Sequence, residues 1–260
     1  MKIYQSSFHT VKFTDLEVDW ERYYLQRPDK IFFEKVYEKW ASIDNELLDE
    51  KNFTRAKKSQ AVKIHELFQN QRKILSIGIG NGITESELLN MDPSYEINGV
   101  DFVRDKRWDS RIQYFNNLKA CNGFSYEGIL LNSVIYNFSD AKLSDLVSSL
   151  HKIIVEGGKV IVWEQDLPTL ADLKEIKRRH SRLPKKGKGV VLWGELRSPS
   201  KIKNFFRKKF RHIESKYYYV GHDLQDHETK PFFRIMGFKL WQNKKFHKNT
   251  SQLHIFEKIR

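Results

Sequence analysis

Gly78, Gly80 and Gly82 stand at alternate positions in KILSIGIGNGITESELL, and Asp101 follows about 20 residues past the turn they make. Glycine lets a backbone turn sharply and approach a ligand, because no Cβ stands in the way. An acid at the end of the next strand is placed to hold ribose hydroxyls. Together they point to a cofactor that contains a nucleoside. The dinucleotide fingerprint G-x-G-x-x-G would need Gly or Ala at position 83, where this chain has Ile83. A nicotinamide dehydrogenase is therefore the least favoured use of the turn.

Other residues could bind or move protons. Ser76, Ile79 and Phe102 flank the glycine turn and Asp101, and belong with them as candidate cofactor contacts. Asn116 and Asn117 follow a short apolar run, and Asn132 and Ser133 follow another. An asparagine amide both donates and accepts, so it can hydrogen-bond a polar ligand edge; it also forms turns readily. Glu164 and Asp166 come directly after an apolar strand, while His180 and His222 lie further on. These four are the candidates for a general base, the group that would take a proton from a hydroxyl. The sequence has no H-E-x-x-H motif, and its lone cysteine, Cys121, builds neither a disulfide framework nor a zinc site.

The elements that must position these groups can be read from apolar spacing. Ile74, Leu75 and Ile77 make a buried strand, and the helix after the glycines carries Leu88 and Leu89. Asp92-Pro93 ends that helix. Tyr95 to Val100 returns as a strand with Asp101 at its carboxyl end. Further strands are expected at Ile112–Phe115, Ile129–Leu131, Lys159–Trp163, Ile213–Val220 and Ser251–Ile259. Helices are expected at Ile31–Trp40, Ala56–Phe68, Leu143–Ile154, Leu170–Arg179 and from Ser198-Pro199-Ser200 to Phe210, with Ser200 as its cap. His65 falls on the apolar face of its helix, where a hydrogen-bonded packing role is expected of it.

The pattern G-x-G-x-G after Ile74-Leu75-Ser76-Ile77 resembles the first motif of the class I S-adenosylmethionine-dependent methyltransferases, hh(D/E)hGxGxG. Ser76 is a departure, since the family usually has an acid there. Phe124 to Phe138, with Glu127 in the place of the usual Asp, resembles the family's fourth-strand motif, and the helix, Gly157-Gly158 and strand that follow resemble its next one. KILSIG, with serine in the acid's place, is also faintly similar to the histamine N-methyltransferase-like branch. The resemblance covers roughly residues 73–163. It implies a Rossmann-like class I methyltransferase three-layer sandwich with a mostly parallel seven-stranded sheet whose last strand is antiparallel. It also implies S-adenosyl-L-methionine as cofactor and methyl transfer to a hydroxyl or amine of a small-molecule acceptor. Residues 1–70 would be an N-terminal helical cap or lid, and residues 71–260 the cofactor-binding domain, with an insertion at 164–200.

Bulk properties narrow the setting. The chain has 260 residues, 40% of them hydrophobic, enough for one globular domain with a cap. No apolar run approaches the ~20 residues that span a bilayer, and the N-terminus lacks a secretory leader's apolar core, so a cytoplasmic protein is expected. The formal charge is +13. That balance attracts anions, so an anionic acceptor suits it, and nucleic acid is possible but not favoured. The basic run from Lys177 to Lys188 keeps RNA or protein methylation as an alternative. So does a non-catalytic binding module, for which Ser76 and the short segment after Asp101 are the support. The oligomeric state is not legible.

Overall fold

The computed structural model describes residues 50–165, 197–219 and 250–259. Helix α1 spans Glu50–Leu67, strand β1 Lys73–Ile77, α2 Ile83–Met91, β2 Glu96–Val100, β3 Gln113–Phe115 and β4 Tyr126–Asn132. Then come α3 at Asp140–Ile153, β5 at Ile154–Gln165, α4 at Pro199–Phe206, β6 at Phe210–Tyr219 and β7 at Thr250–Lys258. The strands form a seven-stranded sheet in the order β3-β2-β1-β4-β5-β7-β6. Strands β1 to β5 are parallel where they pair, and β7 lies antiparallel between β5 and β6.

Side chains alternate across a strand, so a buried sheet needs cover on both faces. Leu75 and Ile77 of β1 join Leu143, Val147 and Leu150 of α3, with Ile202 and Phe206 of α4, in one core. Ile74 of the same strand joins Ala61 and Ile64 of α1, with Leu88 and Leu89 of α2, in the other. The result is three layers, helices above and below one sheet, as expected. At its first residues β1 is fixed by β4: Glu127 Oε2 accepts from the Arg72 and Lys73 amides at 2.6 and 3.2 Å. The Arg72 amide, helped by Lys73, holds the Glu127 carboxyl below its ordinary pKa. A depressed carboxyl stabilises the fold above its unfolded value of ~4.3, and that contribution fades as pH falls through the folded value. Glu127→Gln should therefore lower the urea midpoint at neutral pH, with the gap from wild type closing between about pH 5 and pH 3.

Element limits differ from the sequence expectations in places. Strand β5 begins at Ile154, before the two glycines, because Ile154 already pairs with Tyr126; the ladder then shifts register before Gly128 meets Lys159. Gly157, with φ 72°, sits in that irregular stretch. Ser198, not Ser200, caps α4: its hydroxyl accepts from the Lys201 amide at 3.2 Å, and Pro199 takes the first turn. Proline lacks an N–H, so it fits the turn where amides have no helical partner. Residues 1–49, where a helix at Ile31–Trp40 is expected, lie outside the described residues, and so do the expected Leu170–Arg179 helix and most of the 164–200 insertion.

Arg197 ties the late chain to the turn after β4. It is 1% exposed. Its guanidinium donates to the carbonyls of Ile135 and Phe138 at 2.8 and 2.6 Å, and it pairs with Asp140 at 2.9 Å. Gln252 Nε2 of β7 donates to the Arg197 carbonyl at 2.8 Å, which turns Gln252 Oε1 toward His254 Nε2 at 2.9 Å. A buried cation is tolerated here because each carbonyl and the carboxylate meet one of its donors. His65 plays the packing role expected of it, with Nδ1 2.9 Å from the Tyr95 hydroxyl.

Candidate functional site

Between β1 and α2 the chain turns through Gly78, Gly80 and Gly82, whose φ angles are 73°, 61° and 73°. L side chains rarely adopt that left-handed region, so glycine is required by the backbone itself. The Gly78 amide extends the β1–β2 ladder by donating to the Val100 carbonyl at 2.8 Å. The peptide at Gly80 is held at both ends. Its N–H donates to Asp101 Oδ2 at 2.9 Å, and its carbonyl accepts from Trp108 Nε1 at 2.7 Å. Asp101 Oδ1 also accepts from the Phe102 amide at 2.7 Å. The loop and the carboxyl end of β2 are thus one unit.

Trp108 was not legible as a site residue. It comes from the short basic segment after Asp101, is buried against Ile112, and would meet a Cβ at Gly82 at 2.9 Å. Its position depends on that segment folding back, and a lone tryptophan in a loop gives no sign of it. Trp108→Phe removes the bond to Gly80 and part of the buried indole. It should cost more than the ~1 kcal/mol net value of one hydrogen bond in urea unfolding, because a cavity is left as well. In the same segment Arg107 pairs with Asp105 and Arg111 with Asp109, so part of its basic charge is spent locally.

Beside the glycine turn lies a buried polar cluster. Ser76 is 1% exposed and its hydroxyl donates to Glu85 Oε1 of α2 at 2.7 Å. Glu85 is 2% exposed. Burial pushes its carboxyl up, opposed by the Ser76 bond and by Lys57 of α1. Burial lowers the Lys57 ammonium, opposed by the charges of Glu85 and of Glu164 at the end of β5. Glu164 Oε2 accepts from the Tyr136 amide at 3.2 Å. Asn132, at the carboxyl end of β4, reaches Gln60 of α1 at 3.5 Å. Next to it Ser133 holds φ 55°, an uncommon value for a side-chain-bearing residue, and its amide donates to the Trp163 carbonyl at 2.6 Å. Non-glycine residues in that region gather at functional turns.

Ser76, Gly78, Ile79, Gly80, Gly82, Asp101, Asn132, Ser133 and Glu164 therefore gather at the carboxyl edge of β1, β2, β4 and β5, where ligands bind in open α/β sheets. Ile79 is buried in the core. Phe102, next in the chain to Asp101, is an exposed apolar residue. Asn117 caps the 3₁₀ turn Leu118–Cys121 by accepting from the Ala120 amide at 3.1 Å, and its Nδ2 donates to Asn116 Oδ1 at 2.6 Å. For Asn117 the turn-forming role is therefore in place. Asp166, His180 and His222 lie outside the described residues. Sequence reasoning did not single out Lys57 or Glu85 as site residues. The only signal for them was charge on two helices at faces otherwise apolar.

A nucleoside fits this edge. Carboxylate oxygens accept more than one hydrogen bond each, so Asp101 can take ribose hydroxyls while it holds the two amides. Among the described residues no group of His, Cys, Asp and Glu could hold a metal ion.

No family model matches the chain, and no curated protein matches it in sequence. Solved structures do match. One is 1,6-didemethyltoxoflavin-N1-methyltransferase of Burkholderia thailandensis, with 1,6-didemethyltoxoflavin and S-adenosylhomocysteine bound. It is 12% identical over 94% of each chain, with a TM-score of 0.56. A SAM-dependent methyltransferase of Archaeoglobus fulgidus is 14% identical over 89% of this chain and 100% of its own, at 0.54. The N-methyltransferase NodS of Bradyrhizobium japonicum WM9, with S-adenosylhomocysteine, is 14% identical over 88% and 99%, at 0.52. The fold is that of the class I S-adenosylmethionine-dependent methyltransferases, as the glycine pattern implied.

Proposed function

We propose that this chain is a methyltransferase that uses S-adenosyl-L-methionine and a small-molecule acceptor, methylated at a hydroxyl or an amine. The observation that carries it is the joined unit of Gly80, Asp101 and Phe102: one carboxylate accepts from the glycine-turn amide at 2.9 Å and from the next amide at 2.7 Å. That arrangement supports a ribose-binding role for Asp101, against a backbone a ligand can approach. When bound, S-adenosyl-L-methionine supplies an already activated methyl group, so the protein's part is alignment and exclusion of water. Gly78, Gly80 and Gly82 cradle the donor. Asp101 holds its sugar. Phe102 offers a ring face beside it, and Asn132 and Ser133 line the methyl-transfer side.

Glu164 is the candidate to orient an amine or take a proton from a hydroxyl, with its geometry set by the Tyr136 amide. A compact acceptor agrees with the Burkholderia protein, which holds 1,6-didemethyltoxoflavin. An anionic acceptor agrees with the charge of +13. Asp166, His180 and His222 stay as further candidates for the same proton, and residues 1–70 as the cap over the acceptor. No helix among the described residues is long and apolar enough to cross a membrane. Isothermal calorimetry decides the cofactor: S-adenosylhomocysteine should bind with one site per chain, and NADH should not. No heat with S-adenosylhomocysteine would end this proposal and leave the chain a binding module of methyltransferase fold.

A further inference from the structure

We infer that Glu85, together with Lys57, seats the amino-acid end of the donor and supplies the carboxylate that position 76 lacks. The inference rests on the donor site proposed above and goes beyond it by naming two residues from different helices.

The chain lacks a carboxylate on β1 at the edge where the glycine turn begins, because Ser76 stands there. A carboxylate nevertheless arrives at that spot. Glu85, in the first turn of α2, sends Oε1 to 2.7 Å from the Ser76 hydroxyl. Serine is short enough to leave room for it and donates a hydrogen bond to it. An acid at 76 would instead set two carboxylates together and repel. Glu85 also lies near enough to Asp101 for the two charges to interact, so it belongs to the same edge as the ribose-binding acid.

The charges then decide what the cluster suits. Glu85, Glu164 and Asp101 are acids, and Lys57 is the cation whose charge meets both Glu85 and Glu164. Among the described residues, three acids against one cation leave this edge short of positive charge, so it favours a ligand that brings an ammonium. The donor's amino-acid end is such a group, an ammonium and a carboxylate on one carbon. Its ammonium pairs with Glu85 and its carboxylate with Lys57. Helix α1 thereby contributes to donor binding through Lys57, while Gln60, one turn on, reaches Asn132.

The test compares two ligands that share adenosine and differ in this end. S-adenosylhomocysteine carries the amino acid, and 5′-methylthioadenosine does not. Calorimetry on Glu85→Gln should show S-adenosylhomocysteine weakened at least tenfold and 5′-methylthioadenosine changed less than twofold. Lys57→Met should behave alike. Transposing the acid, in the double variant Ser76→Asp/Glu85→Ser, should restore S-adenosylhomocysteine to within a few-fold of wild type. Thermal melting of each variant checks folding; if Glu85→Gln does not fold, Lys57→Met and the double variant decide. Equal losses for both ligands, no loss, or no rescue overturns the inference while the donor site stands. Failure of the wild type to bind either ligand removes the donor site and this inference with it.

Discussion

Asp101→Ala should weaken S-adenosylhomocysteine roughly 5- to 150-fold, the equivalent of ~1–3 kcal/mol for lost hydrogen bonds to a charged acceptor. Two losses add in this variant. Ribose hydroxyls lose their acceptor, and the Gly80 and Phe102 amides lose theirs, at 2.9 and 2.7 Å in the wild type. The glycine turn then keeps the Gly78 bond to Val100 of β2 and the Trp108 bond to the Gly80 carbonyl, but loses the tie at the Gly80 amide. Because the sugar is common to both ligands, 5′-methylthioadenosine should weaken in parallel, unlike its response to Glu85→Gln. Asp101→Asn retains one acceptor oxygen and should fall between. A folded Asp101→Ala protein with unchanged affinity would remove the ribose assignment.

Gly78→Ala should be the most destabilising single methyl in the glycine turn. Its φ of 73° is left-handed, which costs an L residue ~1–2 kcal/mol. The added Cβ would also lie 2.3 Å from Val134 Cγ2 and 2.6 Å from its Cβ. Those atoms sit on a stiff branched side chain, buried in the core under the turn after β4. Overpacking of that kind costs a further ~1–3 kcal/mol, so a total of ~2–5 kcal/mol is expected in urea unfolding. The clash has a signature. Gly78→Ala should cost less in a Val134→Gly background than in the wild type, because that change removes both Val134 Cβ and Cγ2. Equal costs in both backgrounds would assign the whole effect to backbone strain.

Much of the fold was legible because its signals are local. Ile74, Leu75 and Ile77 mark a buried strand whatever surrounds them, and alternate glycines mark a turn only glycine can make. Strand limits were less legible. β4 starts at Tyr126 and β5 at Ile154 because each pairs with the other there, outside their apolar centres. The cap of α4 moved from Ser200 to Ser198 once Pro199 took the first turn, a choice between two serines that spacing alone did not settle.

By itself the sequence determined the glycine turn, the acid that closes β2, and the order of elements that brings them to one edge of the sheet. These follow from φ limits and apolar periodicity, which act over a few residues. Only the tertiary structure decided that Glu85 reaches Ser76, that the Lys57 charge acts on it, and that Trp108 fastens Gly80. Such contacts join residues from separate elements, and their distances are set by how helices pack on the sheet. A polar side chain has no local pattern that names its partner. Packing the helices against β1 selected those partners, since burial leaves a charge only the groups within its reach.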